Sequence, residues 1–352
     1  MNSETMKKIC LLLATALLVV SCTPEPPAPE PDNNTSGRKA LVLCEGGWGN
    51  NDASIVMLDV DNGKATTDWF TACNGRDLGD VAQDVLLYGS KAYVTVTFSN
   101  SLEVIDTATG VSVRHDMGNL TPRYLAAADG RLYVSCYTGR QVVVFDTADL
   151  DHPLATLALG NYQPEGLAIA AGRLFVASSW ISGENQGYSY DTCVYVFDLA
   201  TNTFVTKLTV GLNPQQVVAI DAGTVAVNYS GNYGDQSAGC SIIDANMLTV
   251  TTLGRSATGM AVCDGRLYAF SRSGYGSSST STYWCYDGQA VTELPISVGN
   301  AYGISVDSAT GNILVCNDGN YNAAGDVFCF KPDGTRLWKC EAGMLPRKVV
   351  VL

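Results

Sequence analysis

The residues able to do chemistry in this chain are few and scattered. Histidine occurs only twice, as His115 and His152. His115 falls in a run expected to form a strand at an outer edge. His152 stands before Pro153 in a turn expected on the face opposite the long loops. Neither can complete a Ser-His-Asp set or build a histidine-based metal centre. No Gly-x-x-x-x-Gly-Lys phosphate cradle is present. Glu45, Asp52 and Glu165 could exchange protons as acid and base, but nothing in their spacing pairs them. Asn317-Asp318-Gly319-Asn320 offers oxygens of the kind calcium takes, yet it matches no complete calcium loop and reads more simply as a turn. The expectation is a protein that is not an enzyme and holds no cofactor or metal.

What recurs instead is an aromatic and amide-rich type of loop. Residues 45–52, 179–190, 228–235, 271–277 and 317–321 are dominated by Tyr, Trp, Gly, Asn and Ser. Such segments supply aromatic area with few rotors, together with adaptable hydrogen bonding. They nominate Trp48, Trp180, Tyr229, Tyr233, Arg272, Tyr275 and Tyr321 as ligand contacts, with Phe98 and Tyr137 in the two shorter loops of the same kind. The competing reading is that long loops are simply polar and glycine-rich.

These loops need a scaffold, and the sequence supplies one by repetition. Residues 122–160 contain four short apolar runs separated by turn residues, as in four antiparallel strands. The second run recurs as Leu41-Val42-Leu43, Ala92-Tyr93-Val94, Leu132-Tyr133-Val134, Leu174-Phe175-Val176, Val225-Ala226-Val227, Leu267-Tyr268-Ala269 and Ile313-Leu314-Val315. The third ends as Met57-Leu58-Asp59, Val104-Ile105-Asp106, Val144-Phe145-Asp146, Val196-Phe197-Asp198, Ile242-Ile243-Asp244 and Cys285-Tyr286-Asp287. The last copy, Cys329-Phe330-Lys331, loses the aspartate. Seven copies of a four-stranded unit predict an all-β, seven-bladed β-propeller.

The first copy lacks its first strand. The tail Pro346-Arg347-Lys348-Val349-Val350-Val351-Leu352 matches the first-strand starts Pro122-Arg123-Tyr124-Leu125 and Pro164-Glu165-Gly166-Leu167. Residues 347–352 are therefore expected to close the ring by supplying the inner strand of the first blade, which removes the open edge. Short Asp- and Gly-containing turns fall on one face, and the aromatic loops on the other. At the mouth of the inner strands stands a second ring: Gln83, Arg123, Glu165, Gln215, Thr258, Tyr302 and Arg347. A position selected only for packing would tend to repeat one residue. This one varies and is mostly polar, as a ligand site or a solvated channel lining would be.

The formal net charge is −13. A nucleic-acid partner would need a basic footprint, so none is expected. Lys7-Lys8, the apolar run 9–20 and Ser21-Cys22 read as a signal peptide, 1–21, too short for a stable membrane anchor. Leu18-Val19-Val20-Ser21-Cys22 resembles a bacterial lipobox, with Cys22 as the lipidated N-terminus. Ordinary secretory cleavage beside an incidental cysteine is the alternative. Residues 22–37 form a Pro-rich tether, and 38–352 the propeller. Glu25, Glu30 and Asp32 loosely resemble surface-export signals of Bacteroidetes lipoproteins, so the expected location is the outer membrane, lipid-anchored and facing the cell surface. Of twelve cysteines, two lie in this leader region. The others, including Cys44, Cys136 and Cys316 at ends of second strands and Cys240, Cys285 and Cys329 in third strands, read as small buried residues rather than a disulfide framework.

The pattern of Leu132-Tyr133-Val134 followed by Val144-Phe145-Asp146, with Asp198-Leu199-Ala200-Thr201 in the next copy, resembles the YncE and YVTN-repeat propellers across the whole domain. The segment Val42-Leu43-Cys44-Glu45-Gly46-Gly47-Trp48-Gly49-Asn50-Asn51-Asp52-Ala53-Ser54 is similar to the Asn-Glu-Gly-x-x-Gly-x-x-Asn-Ala-Ser opening of BtuG-like surface lipoproteins of Bacteroidetes, with Cys44 in place of the usual Asn. That resemblance implies capture of cobalamin or another corrinoid and its transfer to an outer-membrane TonB-dependent transporter. A glycan-binding surface lipoprotein of a polysaccharide-uptake system would use the same aromatics and amides. Labelled palmitate is expected to enter the full-length protein and to be lost in Cys22→Ala; equal labelling of both forms would refute lipidation.

Overall fold

The computed structural model describes residues 37–182, 187–274 and 276–352. The signal peptide, Cys22, nearly all of the tether and Tyr275 lie outside the described residues. The rest forms seven sheets in a ring, each with four main antiparallel strands.

Blade 1 is Pro346–Val351, Lys39–Cys44, Ser54–Asp59 and Lys64–Thr66. Blades 2 and 3 start on Ala82–Tyr88 and Pro122–Ala128, and blades 4 and 5 on Tyr162–Ala170 and Pro214–Ala219. Blades 6 and 7 start on Gly259–Cys263 and Ala301–Val306. The second and third strands are buried almost throughout, because each blade has a neighbour on both faces. Hence they read as continuous apolar runs rather than as alternating ones. Leu41, Ile55, Val85, Val94 and Ile105 pack blade 1 on blade 2, while Val42, Val56, Leu314 and Val327 pack it on blade 7. The outer strands, such as Ser112–Asp116, have blade neighbours but a free edge, and are mostly exposed.

The two ends of the propeller meet as expected. Pro346–Val351 pairs antiparallel with Lys39–Cys44, in the register Ala40↔Val351 to Leu43↔Lys348. The ladder continues with Leu352 N–H donating to Lys39 O at 2.8 Å. Next to it, a β-carbon on Gly303 would lie within 2.0 Å of the Arg347 carbonyl oxygen, at 1.9 Å, so only glycine permits this approach of blade 7 to the closing strand. Across the same seam, Trp338 Nε1 donates to Val60 O at 3.0 Å, and Arg38 pairs with Asp307 at 2.9 Å.

The repeated aspartate at the third strand's end has a local cause. Asp106 Oδ1 accepts from Ala108 N at 3.1 Å and Thr109 N at 2.9 Å; Asp244 Oδ1 accepts from Asn246 N and Met247 N, each at 2.9 Å. An aspartate there satisfies the turn's own amides. The Thr109 backbone and hydroxyl hold the Asp106 carboxyl below its ordinary range. In blade 7, where Lys331 replaces the aspartate, Asp333 takes over by accepting from Thr335 N at 2.9 Å.

Some expected loop is strand. Arg173–Ser182 runs on past the core, and a short strand, Tyr188–Tyr190, pairs with it through Trp180↔Tyr190. Arg266–Ser273 likewise extends through Arg272, opposite Ser281. Ladder pairing overrides the weak β-preference of Ser and Gly in these segments. One short helix, α1 (Trp69–Asn74), was not expected; it plugs the space between blades 1 and 2 with Trp69 and Phe70. All ten described cysteines are free thiols, seven of them buried, and burial pushes Cys44, Cys136, Cys240 and Cys329 up to about 12. The buried ones are packing groups whose thiols stay protonated.

Deleting residues 346–352 would expose both faces of the Lys39–Cys44 edge and the apolar surface under three valines. The loss is several kcal/mol by area, and the truncated protein is expected to melt at least about 10 °C lower or without a cooperative transition. Calorimetry showing a wild-type transition would refute the closure.

Candidate functional site

The inner strands begin at the loop-bearing face, and their first residues surround a cavity of about 1510 Å³. Its lining changes with depth. Glu45, Gln83, Arg123, Gln215, Thr258, Arg272, Tyr302 and Arg347 lie at the mouth, while Leu86, Ala127, Ile169, Val218, Val262 and Val306 line the bore. This follows from the strands themselves. Their middles must pack between neighbouring blades and are apolar, whereas their starts are free to vary.

A chain of polar contacts runs around much of the mouth. Arg347, on the closing strand, forms an ion pair with Glu45 of blade 1. The Tyr302 hydroxyl of blade 7 donates to the same carboxylate at 2.6 Å, and Arg347 lies over the Tyr302 ring at 5.9 Å. Gln83 of blade 2, with its amide oxygen turned inward, accepts from the Arg347 terminal nitrogens at 3.0 and 3.1 Å and from the Tyr124 hydroxyl at 3.0 Å. Arg123 of blade 3 lies over Tyr124 at 5.9 Å and Tyr137 at 5.3 Å, and its Nε is 2.7 Å from Glu165 of blade 4. Glu165 also accepts from Ser179 Oγ at 3.0 Å. On the other side, Tyr302 meets Tyr321 edge-on at 6.0 Å, and Tyr321 lies under Arg272 at 5.7 Å. Arg272 in turn pairs with the fully buried Asp318 at 2.7 Å.

The electrostatics of this rim are balanced. Each arginine carries one carboxylate: Arg347 with Glu45, Arg123 with Glu165, Arg272 with Asp318. One layer down, Lys348 pairs with Asp84 at 2.7 Å. The mouth therefore holds many donors and acceptors without an excess of either sign, although the chain as a whole is strongly acidic. Burial raises the Glu165 carboxyl above its ordinary range, against the pull of Arg123. Burial, then the neighbouring Glu45, also holds the Tyr302 hydroxyl well above the usual tyrosine range. Both are held in place by hydrogen bonds, Glu165 accepting from Ser179 and Tyr302 donating to Glu45. Asp318 is engaged by Arg272, by Asn300 Nδ2 at 2.5 Å and by Asn320 N at 2.8 Å, so Asn317-Asp318-Gly319-Asn320 is a capped turn with its carboxylate spent. No group of three or more potential metal ligands clusters among the described residues.

Above the polar rim stand exposed aromatics. Trp48 is 79% exposed, Tyr233 71%, Phe98 49% and Tyr321 45%, and all four line the cavity. Gln83, Arg123, Gln215, Arg272, Tyr302 and Arg347 line it too, as their place in the sequence suggested. Four others stand behind the lining. Tyr137 and Glu165 are partners of Arg123. Trp180 packs against Tyr190 with ring centroids 4.3 Å apart and planes tilted by 43°, and the Tyr229 ring covers Gly211 and Gly239. Glu165 turns from the opening because it sits between Arg123 and Ser179, and Trp180 because its strand continues and pairs. Sequence reasoning passed over Tyr124, Asp84 and Lys348. A signal was available: Arg347 and Lys348 are two adjacent cations at the start of an otherwise apolar closing strand, and cations packed against a channel call for carboxylate partners.

No family profile matches the sequence, and no curated protein matches it. Solved structures do. A quinonprotein alcohol dehydrogenase-like protein from Bacteroides thetaiotaomicron aligns over 89% of this chain and 78% of its own, at 15% identity and a TM-score of 0.63. The Kuenenia stuttgartiensis hydrazine synthase aligns over 70% and 74%, at 17% identity and 0.56. The WD40 repeats of RRP9 align over 75% and 81%, at 10% identity and 0.55. The chain is a seven-bladed β-propeller, and these likenesses carry the fold alone.

Removing one partner of a buried ion pair leaves an uncompensated charge, which typically costs about 3–5 kcal/mol. Arg123→Ala is therefore expected to destabilise the protein by roughly that amount, and Arg123→Ala with Glu165→Gln by much less. Urea unfolding of the wild type, the double variant and both single variants, Arg123→Ala and Glu165→Gln, measures it; additive losses would show that the two side chains are not coupled.

Proposed function

We propose that the mouth binds a large, flat, uncharged ligand fringed with amides, of the corrinoid class, with cobalamin foremost. The observation that carries this reading is the charge-balanced rim of arginine–carboxylate pairs beneath exposed aromatics. A primary amide is donor and acceptor at once, and each arginine–carboxylate pair offers both in one place. The aromatics give apolar area for a macrocycle's face, and burying several of them supplies most of the affinity in sites of this kind. An anion would gain little here, since every arginine is already neutralised.

In this reading the protein is non-enzymatic. Its propeller is held at the outer membrane by lipid on Cys22 and the 22–37 tether, faces the cell surface, and passes the captured corrinoid to a TonB-dependent transporter. The alternative, a glycan-binding lipoprotein, draws on the same exposed Trp48, Tyr233 and Tyr321, which could stack on sugar rings.

Calorimetry decides between them. Purified protein is expected to bind cobalamin one to one. Trp48→Ala with Tyr233→Ala should weaken it by about a thousandfold if two anchors of about 2 kcal/mol each add. Asp106→Ala and Asp198→Ala, on the opposite face, should leave affinity unchanged. No heat with cobalamin, together with binding of an oligosaccharide sensitive to the same two aromatics, would move the assignment to glycans.

A further inference from the structure

We propose that Asp80 is a positioning residue, which staples two loops so that Trp48 and Phe98 stand as a preformed aromatic wall at the mouth. The proposal rests on the reading of that mouth as a ligand site. It assigns a role to a residue outside the ring and outside the aromatic loops.

Trp48 and Phe98 come from different blades, from the loops that follow Lys39–Cys44 and Lys91–Val96. Their ring centroids are nevertheless 6.1 Å apart, tilted by 49°. Side chains this exposed are not fixed by packing alone. Between the two loops lies Asp80, in the connection from blade 1 to blade 2. Both of its carboxylate oxygens accept from Gly49 N–H, at 3.1 Å each, directly beside Trp48. Its carbonyl accepts from Phe98 N–H at 3.1 Å. Its own N–H donates to Ser99 Oγ at 2.8 Å. One residue thus holds the backbone on both sides of the aromatic pair.

The surroundings are built for this contact. Gly79 carries φ 132, and a β-carbon there would stand 2.4 Å from Ser99 Oγ, so the segment reaches Ser99 only as glycine. Ala53 N–H donates to Gly79 O at 3.1 Å, which ties the far end of the Trp48 loop to the same segment. Gly47 N–H donates to Asp52 Oδ1 at 2.6 Å and closes the loop on itself. Among the described residues no cation pairs with Asp80, in contrast to Glu45, Asp84, Glu165 and Asp318. Its carboxylate serves the Trp48 loop. Ordering these rotors before binding removes an entropy cost that the ligand would otherwise meet.

The test uses protein labelled with 5-fluorotryptophan, in which Trp48→Phe assigns the Trp48 resonance. In Asp80→Ala that resonance is expected to move toward the position of a freely rotating tryptophan, with the melting temperature nearly unchanged. Cobalamin affinity should fall about tenfold. Asp80→Asn keeps one acceptor for Gly49 and should recover most of both signals. Phe98→Ala added to Asp80→Ala should cost less than the two separate losses combined. An unmoved Trp48 resonance in Asp80→Ala would overturn the staple, whatever the ligand. A moved resonance with unchanged affinity would overturn the wall as a binding element. If wild-type protein binds no cobalamin, the corrinoid reading fails by itself, and the fluorine spectrum together with the oligosaccharide titration decides the role of Asp80.

Discussion

Everything in this propeller depends on the pairing of Pro346–Val351 with Lys39–Cys44. A stack of blades left open would expose two apolar faces, one on blade 1 and one on blade 7. Here the last strand belongs to the first blade, so the faces can separate only if a ladder of backbone hydrogen bonds also breaks. The seam is reinforced at three radii. Gly303 permits close approach at the axis, Leu314 and Val42 pack midway, and Trp338 reaches Val60 at the rim.

The closing strand also carries two of the mouth's cations. Arg347 meets Glu45 within blade 1, and Lys348 crosses to Asp84 in blade 2. Asp84 in turn accepts from Leu125 N of blade 3 at 3.1 Å. A fault in closure would therefore remove charges from the rim and leave Glu45 and Asp84 unneutralised beside a low-dielectric bore. Fold and site are coupled through one strand. A ligand bridging the mouth would favour the closed ring by mass action.

The repeat was legible in the sequence because its causes are local. Paired apolar runs recur at fixed offsets, and Asp106, Asp198 and Asp244 recur because each caps its own turn. The missing first strand could be placed for the same reason. The ring of varied residues was also legible, since variation at a fixed position in a repeat is visible without coordinates. What the sequence did not reveal is which side chains turn aside. Glu165 is spent on Arg123, and Trp180 on a strand extension of weak β-formers. Both depend on partners from another strand or blade. The role proposed for Asp80 was invisible for the same reason: its contacts are the amides of Gly49 and Phe98 and the Ser99 hydroxyl, all far along the chain, and a backbone amide leaves no mark in a residue pattern.

The ring is uneven, and the unevenness has a direction. From Arg272 of blade 6 and Tyr302 of blade 7 through blades 1 to 4, the mouth is a connected run of charges and tyrosines. In blade 5, the Gln215 side chain donates to its neighbour Asn213 at 2.5 Å and takes part in no ion pair. A propeller is close to symmetric by construction, so the difference arises in side chains alone. Rigid paired charges on one side hold their geometry, because moving either member would strand its partner. Short neutral side chains on the other side can re-pair at little cost. Among the described residues the exposed aromatics follow the same division: Trp48, Phe98 and Tyr321 stand over the charged arc, and Tyr233 over the neutral one. A ligand seated here would be oriented by the fixed arc and accommodated by the adaptable one. On the proposed reading of this mouth as a ligand site, selectivity resides in the charged arc that runs from Arg272 through blades 7 and 1 to 4, and tolerance of ligand variation in blade 5.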